Sequence, residues 1–276
     1  MKASQIKNNL ATINGLLKRI GLLKQDSLGV AFGGGGAKGF SHIGTMMVLR
    51  DLGIRPTVLS GVSAGSVAAV LYAAGLTPAE IRECFVESRN LNDFREWTVP
   101  KDGFFKLDRF AKLLESWLPV KNLEELQIPT VVCATNLTRG TQVGWCKGEI
   151  VPRVMASCSM PVIFKPWKIG SYYYVDGGVM HNLPAWAIRN YCTTLIGCNC
   201  SPLDRTYKYK DSIVDIALRA FSLGMKANVV ADMNLCDYVV IPRALEQSNV
   251  FDLASLDRNI RYGYEAAAET LKNLKK

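Results

Sequence analysis

The sequence predicts an α/β domain in which a mainly parallel β-sheet is covered on both faces by helices. Three observations carry that expectation. Short apolar and β-branched runs alternate along the chain with stretches of helical character, the pattern of parallel strands joined by crossover helices. Two glycine-rich breaks, Gly33 to Gly39 and Gly61 to Gly65, each follow such a run and lead into helix formers. The residues suited to chemistry fall at the predicted carboxyl ends of strands, where parallel sheets place their sites.

Residues 2–25 read as an amphipathic helix, with Ile6, Leu10, Ile13, Leu17 and Ile20 at helical spacing and lysines and Arg19 between them. Its apolar face either docks on its own domain or serves as a peripheral membrane anchor, and Gly15 and Gly21 weaken it as an isolated helix. No linker, repeat or low-complexity run divides the rest. The chain therefore reads as an N-terminal helical segment, 1–27, and one domain, 28–276.

Leu28–Phe32 is the first strand, Phe40–Leu52 the helix after the glycine loop, and Thr57–Ser60 the second strand, followed by a helix over Ser66–Ala74. Thr77-Pro78-Ala79-Glu80 opens the next helix with a Thr cap, Pro at the first position and Glu at the third. Residues 91–122 then hold Phe94, Trp97, Phe104, Phe105, Phe110 and Trp117, which serve either as plain core or as the lining or lid of a pocket. Strands are expected over Ile128–Ala134, Gln142–Cys146, Phe164–Ile169 and Tyr172–Val175, with a short helix over Glu149–Ala156. Helices over Ala185–Tyr191, Asp211–Met233 and Ala254–Leu274 alternate with strands over Thr193–Asn199 and Tyr238–Ile241.

Composition narrows the partners. Hydrophobic content of 49% and charged content of 21% are ordinary for a globular chain. No window approaches the ~18 to 20 apolar residues of a spanning helix, and the start lacks the continuous apolar centre of a signal peptide, so a cytoplasmic protein is expected. The net charge of +9 invites an anionic partner. No nucleic-acid motif accompanies it, so a lipid surface or simple solvation fits better than DNA or RNA. Eight cysteines without a CxxC pair read as free thiols, and two histidines exclude a His-rich metal centre.

The chemistry centres on Gly61-Val62-Ser63-Ala64-Gly65. In a G-x-S-x-G turn between strand and helix the serine is lifted clear of the sheet, and the helix N-terminus favours negative charge on the reacting oxygen. Ser63 is thus the candidate nucleophile. The loop Gly33 to Gly39 presents backbone amides with no side chains in the way, which suits an oxyanion or a phosphate. Gly34, Gly36 and Gly39 fit G-x-G-x-x-G, but the next strand ends in Ser60-Gly61-Val62-Ser63 rather than an acid. Gly39 after Lys38 excludes a Walker loop, and the kinase motifs are missing.

Ser63 needs a group to take its proton. The candidates are His42, His181 and a carboxylate. His42 lies one turn into a helix, and His181 follows Asp176 by only five residues across the turn Gly177-Gly178. Asp176 acting directly on Ser63 is the economical arrangement.

Together, Gly34-Gly35-Gly36-Ala37-Lys38-Gly39, Gly61-Val62-Ser63-Ala64-Gly65 and Asp176-Gly177-Gly178 resemble the three motifs of patatin-like phospholipases, in their order. Ala156-Ser157-Cys158-Ser159-Met160-Pro161 is similar to the family's A-S-x-S-x-P segment, and Asn182-Leu183-Pro184 to its N-x-P. The resemblance covers roughly residues 28–200 and is greatest to short bacterial members. It implies a three-layer α/β/α fold with a mainly parallel central sheet and a lipid acyl hydrolase that needs no metal or organic cofactor. It further implies Ser63 as nucleophile, Asp176 as base, and Gly34, Gly35 and Gly36 as the oxyanion loop. Lys38, Gly61, Gly65, Gly177 and Gly178 take supporting places, and phospholipid or lysophospholipid is the expected substrate. A general carboxylesterase or thioesterase and a non-catalytic lipid- or partner-binding protein are the competing readings.

Overall fold

The computed structural model describes residues 27–90, 107–202, 207 and 211–274. The expected segment 1–27 lies outside the described residues except for Ser27, as do Phe94, Trp97, Phe104 and Phe105.

Eight strands make one sheet: β1 (Leu28–Phe32), β2 (Val58–Val62), β3 (Thr130–Asn136), β4 (Thr141–Trp145), β5 (Trp167–Ile169), β6 (Tyr172–Asp176), β7 (Thr194–Cys198) and β8 (Tyr238–Val240). They pair in the order β5-β6-β3-β2-β1-β7-β8, with β4 also against β3. The β3-β2-β1-β7-β8 part is parallel, and β4, β5 and β6 are antiparallel additions. Seven helices are described: α1 (Ser41–Asp51), α2 (Ala64–Ala73), α3 (Pro78–Asn90), α4 (Asp108–Trp117), α5 (Ile150–Cys158), α6 (Ile213–Met233) and α7 (Leu256–Leu271).

The period-two alternation of the strands divides the core between the two faces. Val30, Phe32, Leu59, Val132 and Ile196 pack with Met46, Leu49, Leu71, Met155 and Leu256 of the helices on one side. Ala31, Val58, Val62, Val131, Cys133 and Leu195 pack on the other side with Leu183, Ala185, Ile188 and Val229. The central strands β1, β2, β3 and β7 are therefore buried on both faces, which is why their residues are mostly apolar rather than alternately so.

Several boundaries differ from the sequence expectation. The loop after β1 tightens into a 3-10 turn, Gly36–Phe40, before α1 begins. Ala185–Tyr191 is two 3-10 turns, Pro184–Ala187 and Arg189–Tyr191, a winding that buries Leu183, Ala185, Ala187 and Ile188 together. Of Phe164–Ile169 only Trp167–Ile169 is continuous strand, and Pro166 before it has no amide to give a ladder. The capping box of α3 forms as read, with Glu80 Oε2 accepting from the Thr77 amide at 2.7 Å and Thr77 Oγ1 from the Glu80 amide at 3.3 Å.

One detail of register positions the site. Cys133 pairs with Val62 and Gly144, and the next residue, Ala134, pairs with Asp176 and Val143. Since β4 occupies one edge of β3 over Val132–Asn136, overlapping both partners, β2 and β6 share the other edge. Parallel β2 and antiparallel β6 thus point their carboxyl ends at each other, with Ser63 following one and Asp176 ending the other.

Candidate active site

Ser63 stands at the N-cap of α2 with φ 53° and ψ −128°. A non-glycine residue in this half of the backbone map is strained by ~1 to 3 kcal/mol, as expected of a nucleophile turn. The flanking glycines are needed for space: a Cβ on Gly61 would lie 2.4 Å from Gly65 O, and one on Gly65 would lie 2.1 Å from Phe32 O.

The turn is held from α5. The Ser63 amide donates to Ser157 Oγ at 2.8 Å, and Ser157 Oγ donates to Cys133 O at 2.6 Å, so one buried hydroxyl ties the turn to β3. Two residues on, Ser159 O accepts the Asp176 amide at 2.9 Å, while its hydroxyl is spent on Met155 O at 2.8 Å. The A-S-x-S-x-P segment therefore clamps both Ser63 and Asp176 by their backbones. The sequence singles out this segment by resemblance alone; its role needs the three-dimensional meeting of α5, β2 and β6.

Asp176 is 3% exposed, and its Oδ1 accepts from the Gly178 amide at 2.8 Å. Burial pushes its carboxyl up to about 6, while hydrogen bonds from the Ser63 side chain and the Gly178 amide pull the other way. A carboxylate that titrates near 6 is ionised at neutral pH and still basic enough to take a proton.

Neither histidine is placed as a base. His42 Nε2 donates to Gly33 O at 2.8 Å, and burial lowers its pKa to about 4, so it is a neutral ring that props the glycine loop. His181 Nδ1 is bonded to Asp232 Oδ2 at 2.8 Å, on α6. Cys158 also lines the site, but burial raises its thiol far above its ordinary range and keeps it protonated.

In the glycine loop the Gly34 amide is spent: it donates to Asn182 O at 3.0 Å, and Asn182 Nδ2 returns a bond to Gly34 O at 3.2 Å. Of the three glycines expected as the oxyanion loop, Gly34 is thus the one tied to the N-x-P segment. The amides of Gly35, Gly36 and Ala64 donate to no acceptor among the described residues. Ala64, the first residue of α2, is a donor that the sequence reading passed over; the place directly after a nucleophile serine was the available signal. Lys38 is buried, with Nζ donating to Glu246 O at 3.3 Å. Gly177 and Gly178 close on Cys133 O and the Asn182 side chain, where a Cβ would stand 2.8 Å from either.

A cavity of about 730 Å³ is lined by Ser63, Asp176, Gly35, Gly36 and Lys38 and continues along Phe85, Phe110, Phe164, Leu218, Phe221 and Met225. Arg109, Arg219 and Lys226 also line it. Of the aromatic cluster in 91–122, Phe110 is thus a lining residue, while Trp117 packs edge-on against Phe85 and Phe110. Among the described residues no three His, Cys, Asp or Glu side chains are grouped to hold a metal ion.

The family model of patatin-like phospholipases matches residues 30–188. YqhO of Bacillus subtilis is 30% identical over 207 residues, covering 63% of this chain and 71% of that protein. An NTE family protein of Mycobacterium tuberculosis is 29% identical over 163 residues, 58% of this chain; the chain spans about a quarter (27%) of that relative's length. Among solved structures, VipD from Legionella pneumophila superposes with a TM-score of 0.51 at 15% identity, over 90% of this chain and 66% of that one, a likeness of fold. With its motifs in order on a matching three-layer α/β/α framework, the chain belongs to the patatin-like phospholipase family.

Proposed function

We propose that the chain is a serine acyl hydrolase that cleaves fatty acyl esters of phospholipid or lysophospholipid through a dyad of Ser63 and Asp176. The observation that carries this reading is that Ser63, on its strained turn, and Asp176, a buried carboxylate that burial pushes up to about 6, line the same cavity. Ser63 Oγ attacks the ester carbonyl carbon as Asp176 takes its proton. The oxyanion meets the amides of Gly35, Gly36 and Ala64, and each such donor is worth ~3 to 4 kcal/mol in the transition state. The carbon–oxygen bond to the alcohol then breaks, and the alcohol oxygen receives the proton from Asp176. Water attacks the acyl-Ser63 ester, yielding one proton to Asp176. The fatty acid departs, and that proton returns to Ser63 Oγ.

The test is fatty acid release, read by mass spectrometry, from dispersed lysophospholipid and diacyl phospholipid and from a short-chain soluble ester. Release from the dispersed lipids supports the proposal. Cleavage of the short ester alone would leave a general carboxylesterase or thioesterase, and no cleavage of any of them would leave a binding protein.

A further inference from the structure

Helix α6 is apolar on two faces. One, with Leu218, Phe221, Met225 and Val229, lines the cavity. The other points outward: Ile213 is 87% exposed, Ile216 44%, Leu223 47% and Val230 47%. Ile216, Leu223 and Val230 recur every seven residues, two helical turns, and so form one stripe, with exposed Ala220 and Ala227 between them. Of the helix's 21 residues only Val229 and Asp232 are buried. Apolar surface arranged in this way marks a contact with something other than water.

The charges along the helix say what that something is. Arg219 and Lys226, also two turns apart, stand between the outward stripe and the cavity face, and both line the cavity. From Ile216 to Ala231 the helix has no acidic residue, and the whole chain carries +9. Among the described residues no helix is long and apolar enough to cross a membrane, so the contact is with a surface.

We propose that the outer face of α6 docks on an anionic lipid bilayer. Ile216, Leu223 and Val230 enter the boundary of the acyl chains, and Arg219 and Lys226 meet lipid phosphates at the rim of the cavity. The inference rests on the lipid-hydrolase reading, because it turns the rim of the cavity toward the layer that holds the substrate. A bilayer fits the stripe better than a second copy does. Three large side chains spaced by alanines offer well under the roughly 800 Å² per partner of a stable protein interface. Two copies paired along the stripe would also bring their Arg219 and Lys226 margins together, like charge against like.

The experiment is flotation of the full chain carrying Ser63→Ala, so that hydrolysis is silent, with unilamellar vesicles of phosphatidylcholine alone or mixed with phosphatidylglycerol. The protein should bind the mixed vesicles, more weakly as salt rises. Ile216→Glu with Leu223→Glu should lower the partition by about tenfold or more, and Lys226→Glu alone should weaken binding to the anionic vesicles and reduce its salt dependence. In the chain with Ser63 intact, the Ile216 and Leu223 changes should leave the melting temperature and the cleavage of a short soluble ester as they were. Unchanged partition in these variants overturns the proposal. So does unchanged partition accompanied by loss of a dimer in sedimentation velocity, which assigns the stripe to a second copy. Because binding is read without turnover, its failure is separate from a failure of the hydrolase reading, which shows as no cleavage of ester or lipid by the unaltered chain.

Discussion

The Ser63 amide donates to Ser157 Oγ at 2.8 Å, and through that hydroxyl the strained turn is anchored to Cys133 O on β3. Ser157 touches no reacting atom; it is a positioning residue. Ser157→Ala strips a partner from a buried amide and from a buried carbonyl, and each unsatisfied group costs ~1 to 3 kcal/mol. The expected outcome is a melting temperature several degrees lower and a turnover number reduced tenfold or more with little change in KM. Urea unfolding and steady-state kinetics check it, and an unchanged turnover number would show that the turn holds its shape without the clamp.

Asp176 couples stability to pH. Its carboxyl stands at about 6 in the folded chain against an ordinary 3.8, so between those values the folded state holds a proton that the unfolded chain has released. Its contribution to stability is therefore fully present below pH ~4, falls as pH rises through about 6, and above that is lower by ~3 kcal/mol. Asp176→Asn escapes this cost. The variant should be inactive yet ~1 to 3 kcal/mol more stable than the natural chain at pH 8, with the gap closing toward pH 4. Denaturant unfolding at the two pH values measures it.

His181 separates a dyad from a triad. Its ring is held by Asp232 on α6, at 2.8 Å, and does not line the cavity. His181→Ala should keep the acylation rate within about threefold and leave its pH profile in place, since the proton acceptor is untouched. A hundredfold loss, with a displaced profile, would put the imidazole back in the mechanism.

Gly65 tests the packing of the turn. A methyl group there meets Phe32 O at 2.1 Å, a backbone atom of a central strand that cannot move aside. Gly65→Ala should lose several kcal/mol or fail to fold, a cost of the size associated with overpacking a core or more. Circular dichroism on heating is sufficient to see it.

Much of this was legible in the sequence, for definite reasons. The strands β1 and β2, Ser63 and Asp176 announce themselves because glycines must stand where backbone segments cross, and those glycines lie within a few residues of one another in the chain. What escaped is what forms only through space. Ser157 and Ser159 look like ordinary polar residues at a helix end until α5 lies against β3 and β6. Gly34 reads as one more donor until the Asn182 carbonyl, 148 residues away, takes its amide. The 3-10 winding of Pro184–Ala187 and Arg189–Tyr191 was likewise invisible to periodicity, because the sheet face it covers dictates its pitch.

Activation of Ser63 by Asp176 can be read from the rate of covalent labelling by a fluorophosphonate, followed as intact mass across pH. One adduct per chain should form, absent in Ser63→Ala, with a rate that climbs with pH and levels off above about 6 as the Asp176 carboxyl ionises. Asp176→Asn should abolish the labelling. Labelling that survives in Asp176→Asn, or that follows a different ionisation, would show that another group activates Ser63.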